Sequence, residues 1–350
     1  PTANAQSIAV LKNQSKVISL SGSDPDGNTL TFAINNSPIS GNLSEFNATA
    51  GIVVYTPRTG FEGNDSFTFT VNDGTLTSNV AMISLQVFVP VNISGIIGHW
   101  KFDGDAKDSV GENHGTIFGN ATFVSGKIKQ AIQFDGVDDY VFIGNVSALN
   151  FNNTTPFSIS FFMKKTDLLT YAEIVTKIDG SGYGIVTEYT GGFERLRIYL
   201  LSLGGGGGYI DVQSSEDAAL FNIWRHIKMT YDGSGKASGV KVYIDGFAHS
   251  LSNNSDRLTG SITGNGSFQI SGRGNKYYFK GQADNLYVLD HVLNESEILT
   301  LAFETKGEIP ATPVTNCKDD DNDTILDYHK TLCPTGKDIC PRTPEKKRNN

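Results

Sequence analysis

GHWKFDGDAKDSVGENHGTIFGNATFVSGKIKQAIQFDGVDDYVFIG, residues 98–144, alternates short β-type runs with polar turn segments and carries no helical period. GHWKFD, QAIQFDG and YVFIG hold aromatic and β-branched residues bounded by Gly and Asp, the pattern of strands closed by turns. Between the last two, Asp135, Asp138 and Asp139 in FDGVDDY read as a hairpin connection. Further along, FSISFFMKK, YAEIVTKID, GYGIVTEY, LRIYLLSL, YIDVQS, WRHIKMTYD, KVYIDG, SFQISG and QADNLYVLD repeat the theme. Roughly twelve strands across residues 95–305 suit one two-sheet sandwich. A single short helix is expected near its end, where Asn294 and Glu297 in NESEILTLAF stand at capping-box spacing.

At 350 residues the chain has room for two or three domains with cores of their own. A formal net charge of -9 argues against nucleic acid, which needs a lysine and arginine footprint to displace phosphate counterions. Basic residues gather at Lys346, Lys347 and Arg348, without a stripe elsewhere. No window approaches the roughly 18 apolar residues of a membrane-crossing helix. The chain opens on Pro1 without a leader pattern, so any export signal is expected outside this segment.

Asn-x-Ser/Thr occurs fourteen times, where chance placement of this composition gives about five. The candidate glycan acceptors are Asn13, Asn42, Asn47, Asn64, Asn92, Asn120, Asn145, Asn153, Asn253, Asn265 and Asn294, with Asn35, Asn152 and Asn322 completing the set. They point to an exported surface protein; the same residues also suit the polar turns of a β-protein.

Residues 1–90 place KVISLSGS, LTFAI, GIVVYTP, DSFTFTVND and AMISLQVFV between turn signals, which reads as an antiparallel sandwich. With no cysteine or tryptophan there, an antibody-type pinned core is excluded. SDPDGNTLTF and YTPRTGFEGNDSFTFTVNDG resemble the immunoglobulin-like, cadherin-like modules of large bacterial and archaeal surface proteins, and the resemblance implies a spacer. Asp24 and Asp26, with Asp73 in VNDG, are hard oxygen donors of the kind calcium takes. Asp-Pro-Asp-Gly is equally ordinary turn chemistry.

Residues 91–94 of VFVPVNISG are expected as a hinge. Beyond them, residues 98–144 and YYFKGQADNLYVLDHVLNESEI (277–298) are similar to the opening and closing segments of the laminin G-like, concanavalin A-like jelly-roll family. The resemblance implies a carbohydrate- or protein-binding module, often with structural calcium, whose candidate ligands here are Asp108, Asn113 and Asp284. Asn285 stands where the family usually carries a second acid. The run Gly204–Gly208 in LSLGGGGGYIDV fits neither phosphate-cradling pattern and reads as a slack link between strands.

Catalysis finds little footing. Glycosidases need two carboxylates about 5–9.5 Å apart across the scissile bond. The Glu-x-Asp-x-x-Glu strand motif is missing, since AEIVTKIDG offers Glu173 and Asp179 at the wrong spacing. Glu216 and Asp217 are adjacent, so on a strand they would face opposite ways. There is no Gly-x-Ser-x-Gly or His-Glu-x-x-His motif.

KGEIPATPVTN (306–316) reads as a semi-stiff linker before the segment 317–350. In CKDDDNDTILDYHKTLCP (317–334), Asp319, Asp321 and Asp323 match EF-hand positions, but Thr324 and Lys330 fall where glycine and glutamate are needed. Asp319, Asp321, Asp323 and Asp327, then Cys333-Pro334 and Cys340 in DICPRTPE, resemble a thrombospondin type 3 repeat, which implies bound calcium. Cys317, Cys333 and Cys340 leave one thiol over in any single pairing, and Cys317–Cys333 and Cys333–Cys340 both stay open.

The expectation is an all-β chain: an immunoglobulin-like β-sandwich, a concanavalin A-like jelly roll and a short irregular calcium-binding-like C-terminal segment. Its expected role is a non-enzymatic extracellular or cell-surface structural or adhesive protein. The jelly roll would meet a glycan or protein ligand on a surface, or copies of the chain itself in a sheath or filament. A carbohydrate-binding module of a larger polysaccharide-active protein is the alternative, and a glycosidase a third reading.

Overall fold

The computed structural model describes residues 1–303, apart from 169–170, 191, 204–206, 215–217, 219 and 275. The linker, the loop with Asp319, Asp321, Asp323 and Asp327, and Cys317, Cys333 and Cys340 lie outside the described residues. So do Asn322, Glu216, Asp217 and most of the glycine run.

Period-two alternation builds the first domain. Along Gly63–Asn72, Phe67, Phe69 and Val71 turn inward and meet Ile83, Leu85 and Val87 of Ala81–Phe88. These two strands form a four-stranded sheet in the order Gln6–Leu11, Ala81–Phe88, Gly63–Asn72, Thr31–Asn36. Gln6–Leu11 pairs with Ala81–Phe88 in parallel, from Gln6↔Ile83 to Leu11↔Phe88. The facing sheet holds Lys16–Ser19, Ile52–Pro57 and Gly41–Asn47. Between the sheets, Tyr55 is fully buried, and its hydroxyl donates to Asp65 Oδ2 at 2.9 Å. The Asp65 carboxylate also accepts the amides of Ile39 and Ser40, each at 2.9 Å. A Cβ at Gly41 would lie 2.2 Å from the Tyr55 ring, so the strand can cross that ring as glycine alone.

The second domain is a sandwich of two eight-stranded sheets. One runs Thr122–Ser125, Gln130–Asp135, Lys280–Leu289, Phe157–Lys165, Arg225–Tyr231, Val240–Ile244, Phe247–His249, with Ile96–Trp100 also paired to Lys280–Leu289. The other runs Thr116–Phe118, Tyr140–Gly144, Phe268–Ile270, Tyr171–Asp179, Ser181–Thr190, Phe193–Ser202, Gly208–Ser214, Leu251–Asp256. One continuous core fills the space between them, including Trp100, Phe134, Phe161, Leu196, Ile198, Leu200 and Met229. Trp100 stacks on Phe268 at 5.6 Å, and its indole N–H donates to the Asn113 carbonyl at 2.9 Å.

Helix α1 (Glu295–Ala302) follows the last strand. Asn294 accepts the Glu297 amide at 3.1 Å, and Glu297 accepts the Asn294 amide at 2.9 Å, which closes the expected capping box. The helix joins the two domains. Its Leu299 packs with Ala9 and Phe88 of the first domain, flanked by Leu11, Phe247 and Phe303. Ile93, in the connecting segment, is buried against Leu293, Ile298 and Leu301, and the Val91 amide donates to Thr300 Oγ1 at 3.0 Å. The chain is thus all-β, an immunoglobulin-like domain followed by a jelly roll. Among the described residues, no helix is long and apolar enough to cross a membrane.

Candidate functional site

The acidic residues singled out from sequence hold backbone. Asp24 Oδ1 accepts the amides of Asp26 and Asn28 at 3.0 and 3.1 Å, and these bonds, that from Asn28 foremost, lower its pKa. Asp26 is exposed in the same turn, where Gly27 takes a φ of +75°. Asp73 accepts the amides of Thr75 and Leu76, both at 2.7 Å, and its pKa falls to about 2.

In the jelly roll, Asp108 Oδ1 accepts the His99 and Val110 amides at 3.0 and 3.1 Å, and Oδ2 accepts that of Asn113 at 3.3 Å. The Asn113 side chain donates to the Ile97 carbonyl at 3.3 Å. Asp284 is fully buried and accepts the Ile128 amide at 2.8 Å. Neither Asp108 nor Asp284 belongs to a group of three potential metal ligands among the described residues. Such a group exists at Asp135, Asp138 and Asp139, with oxygens within 4.8 Å of one another. There too the carboxylates hold a turn: Asp135 accepts the Val137 amide at 2.7 Å, and Asp139 the Asp135 amide at 2.9 Å. The glycan-acceptor asparagines in the described residues are all exposed except Asn153, which is half-buried.

A different set of residues makes a cleft. Phe193–Ser202 sends Leu196, Ile198 and Leu200 into the core and Arg197, Tyr199 and Leu201 outward. The next strand adds Tyr209 and Asp211 to the same outer face, and Tyr171 stands on a third. With Arg273, from the loop before the last strand, they line a cleft of about 250 Å³. Gly184 lies directly opposite Tyr199, and a Cβ there would come within 2.7 Å of the tyrosine ring. That bare position lets the ring lie close to the sheet.

Ion pairs fix the polar groups. Arg197 grips Asp211 through two bonds, Nε to Oδ1 at 2.8 Å and Nη2 to Oδ2 at 2.6 Å. Arg273 meets Glu173 Oε1 at 3.1 Å, and the Tyr171 hydroxyl donates to the same oxygen at 3.3 Å. Glu173 is fully buried; burial raises its pKa, opposed by the Arg273 charge and by the Tyr199 and Tyr171 hydroxyls. Tyr171 is pushed up to about 12, first by burial and then by the nearby Glu173 carboxylate. Arg273 also lies over the Tyr277 ring at 5.6 Å, and Tyr277 meets Tyr171 edge-on at 5.0 Å. Further along the same sheet face, Phe118 stacks on Tyr140 at 4.8 Å. Of the residues around the cleft, Glu173 alone stands out in the sequence reading. The one signal for the rest is the alternation of Arg, Arg, Tyr and Leu at the outward positions of FERLRIYLLS.

Residues 135–299 match the laminin G-type family model of the concanavalin A-like lectin/glucanases superfamily, and residues 1–86 match the bacterial Ig domain model. No curated protein matches the chain. Among solved structures, domain 4 of AbnA, a GH43 extracellular arabinanase from Geobacillus stearothermophilus in complex with arabinotriose, is 24% identical, with 59% of this chain and 98% of that one covered and a TM-score of 0.47. The botulinum neurotoxin serotype G binding domain is 16% identical, with 65% and 53% covered and a TM-score of 0.45. The binding domain of botulinum neurotoxin DC in complex with rat synaptotagmin II is 18% identical, with 59% and 51% covered and a TM-score of 0.45. The chain therefore spans about half the length of these neurotoxin domains.

Proposed function

We propose that the chain is a non-enzymatic, glycan-binding module of a secreted or cell-surface protein, in which the immunoglobulin-like domain presents the jelly roll. The cleft of Tyr171, Arg197, Tyr199, Tyr209, Asp211 and Arg273 carries this reading. A sugar ring offers an apolar C–H face and a rim of hydroxyls. Tyrosine supplies amphipathic area at low entropic cost, and guanidinium groups held by carboxylates supply pre-oriented N–H donors. The match to a lectin/glucanase model accords with such a ligand.

The carboxylates at the cleft suit recognition better than hydrolysis. Asp211 is held in a bidentate pair, and Glu173 is fully buried and paired to Arg273, so neither stands open as an acid or base facing a substrate bond. Screening against an array of glycans, followed by calorimetry on the best binder, tests the proposal. Saturable binding should weaken at least about tenfold in Tyr209→Ala and Arg197→Ala. Absence of saturable binding, or wild-type affinity in both variants, would overturn it.

Calcium belongs to the proposal at the loop of Asp319, Asp321, Asp323 and Asp327, whose alternate carboxylates suit one hard cation. Chelation should change hydrogen exchange across residues 317–345 and leave both sandwiches folded. Unchanged exchange in that segment would count against it.

A further inference from the structure

A groove of about 750 Å³ runs between the two domains. One wall is the outward face of the first domain: Asn64 and Ser66 on Gly63–Asn72 oppose Gln86 and Ser84 on Ala81–Phe88, beside Met82. Tyr243, Phe247 and Glu295 of the second domain stand across from them. Gln86 and Glu295 are hydrogen-bonded across the gap.

The lining carries no positive charge. No lysine, arginine or histidine lines the groove among the described residues. Its two acids are engaged, Asp65 by the Tyr55 hydroxyl and the amides of Ile39 and Ser40, and Glu295 by Gln86. What remains is serine hydroxyls, an asparagine amide and apolar surface, including Ile39 and Met82 at 92% and 50% exposure. Such a wall suits a hydroxyl-rich occupant with apolar faces and disfavours an anion, which would find no counter-ion.

The chain carries its own attachment point for one. Asn64-Asp65-Ser66 is a glycan-acceptor motif within a strand, so Asn64 and Ser66 project to one side and Asp65 to the other. Asn64 is exposed, and its side-chain amide makes no hydrogen bond among the described residues.

We propose that Asn64 carries an N-linked glycan whose first sugars lie in this groove, against Met82 on one side and Tyr243 and Phe247 on the other, and tie the domains together. The linkage forms when Asn64 Nδ2 attacks the anomeric carbon of a lipid-phosphate-linked oligosaccharide. The C–N bond forms, the C–O bond to phosphate breaks, the lipid phosphate leaves with the electron pair, and one amide proton passes to a base. This site is independent of the ligand cleft on the jelly roll.

Glycopeptide mass spectrometry of native material reads occupancy at Asn64, and hydrogen exchange reads protection at the walls. Native glycoprotein, enzymatically deglycosylated protein and Ser66→Ala, which removes the motif but keeps Asn64, are compared. Loss of the glycan should raise exchange severalfold over residues 82–86 and 243–248 and leave the buried 67–71 segment unchanged. Two results would overturn the proposal: a bare Asn64 in native material, or an occupied Asn64 whose glycan can be removed with no change in exchange at either wall, meaning a glycan directed into solvent. Should Ser66→Ala fail to fold, the deglycosylated protein gives the same comparison.

Discussion

His99 illustrates how burial sets the charge of a single residue. Its Nε2 meets Asn285 Oδ1 at 2.9 Å, its Nδ1 meets Ser109 Oγ at 2.8 Å, and the ring stacks on Tyr287 at 3.8 Å. Burial lowers its pKa from 6.5 to about 4, with the Asn285 bond opposing the shift. The folded state therefore takes up this proton later than the unfolded chain. Stability is full above pH 6.5 and is lost as pH falls toward about 4, by on the order of 3 kcal/mol. Buried His226 shifts in the same direction. Denaturant titrations of wild type and His99→Gln between these limits should show a flatter pH dependence in the variant. Parallel curves would remove His99 from the account. Asn285 departs from the acid that the laminin G resemblance expects, and in the fold its amide oxygen accepts from the neutral His99 imidazole. That partner lies 186 residues away, so sequence exposes the departure without the contact. Gly184→Ala tests the cleft itself. Its Cβ would press on Tyr199, so ligand affinity in the cleft should drop while the fold is kept, at a cost of about 1–3 kcal/mol. Unchanged affinity would show that the ring position does not matter.

Among the elements, the long strands rich in aromatic and β-branched residues are plain from sequence. FSISFFMKK and YAEIVTKID fall on Phe157–Lys165 and Tyr171–Asp179 residue for residue. Thr116–Phe118, Thr122–Ser125, Phe247–His249 and Leu251–Asp256 are strands that the sequence does not announce. Three of them are only three or four residues long, and LSNNSD is almost entirely polar, so pairing with a neighbour rather than local pattern makes each a strand. The cleft is hidden for a related reason: three strands and a loop supply it, and register across the sheet is a tertiary property. Helix α1 is legible through its cap. Asn294→Ala should cost about 1 kcal/mol and speed hydrogen exchange over residues 295–299 first. Uniform exchange changes across the jelly roll would contradict a local cap. Under the helix, fully buried Lys228 donates to the Ile298 carbonyl at 3.0 Å, and burial drives its pKa far down. Lys228→Met keeps the length and removes the buried amine, so thermal stability should hold or rise; a clear fall would mean that the single bond outweighs desolvation.

At the scale of the molecule, two separate cores meet at one small apolar contact. Phe88 and Phe303 lie 5.8 Å apart there, with Ala9 and Leu299 beside them. Phe303→Ala should loosen the junction and leave each core intact, visible as a larger maximum dimension in solution scattering with unchanged circular dichroism. An unchanged dimension would place the junction's strength elsewhere. The two sandwiches are readable in outline because turn spacing and alternation are local signals. Their docking is not, because Phe88 and Phe303 look in sequence like ordinary strand and helix residues. In the first domain, Gln6–Leu11 lies parallel to Ala81–Phe88, so tension along the chain pulls the two strands past each other lengthwise. All the hydrogen bonds of that ladder then bear force together instead of parting one by one. The domain is built to resist stretching in shear, and its rupture force should exceed that of a hairpin peeled open from one end.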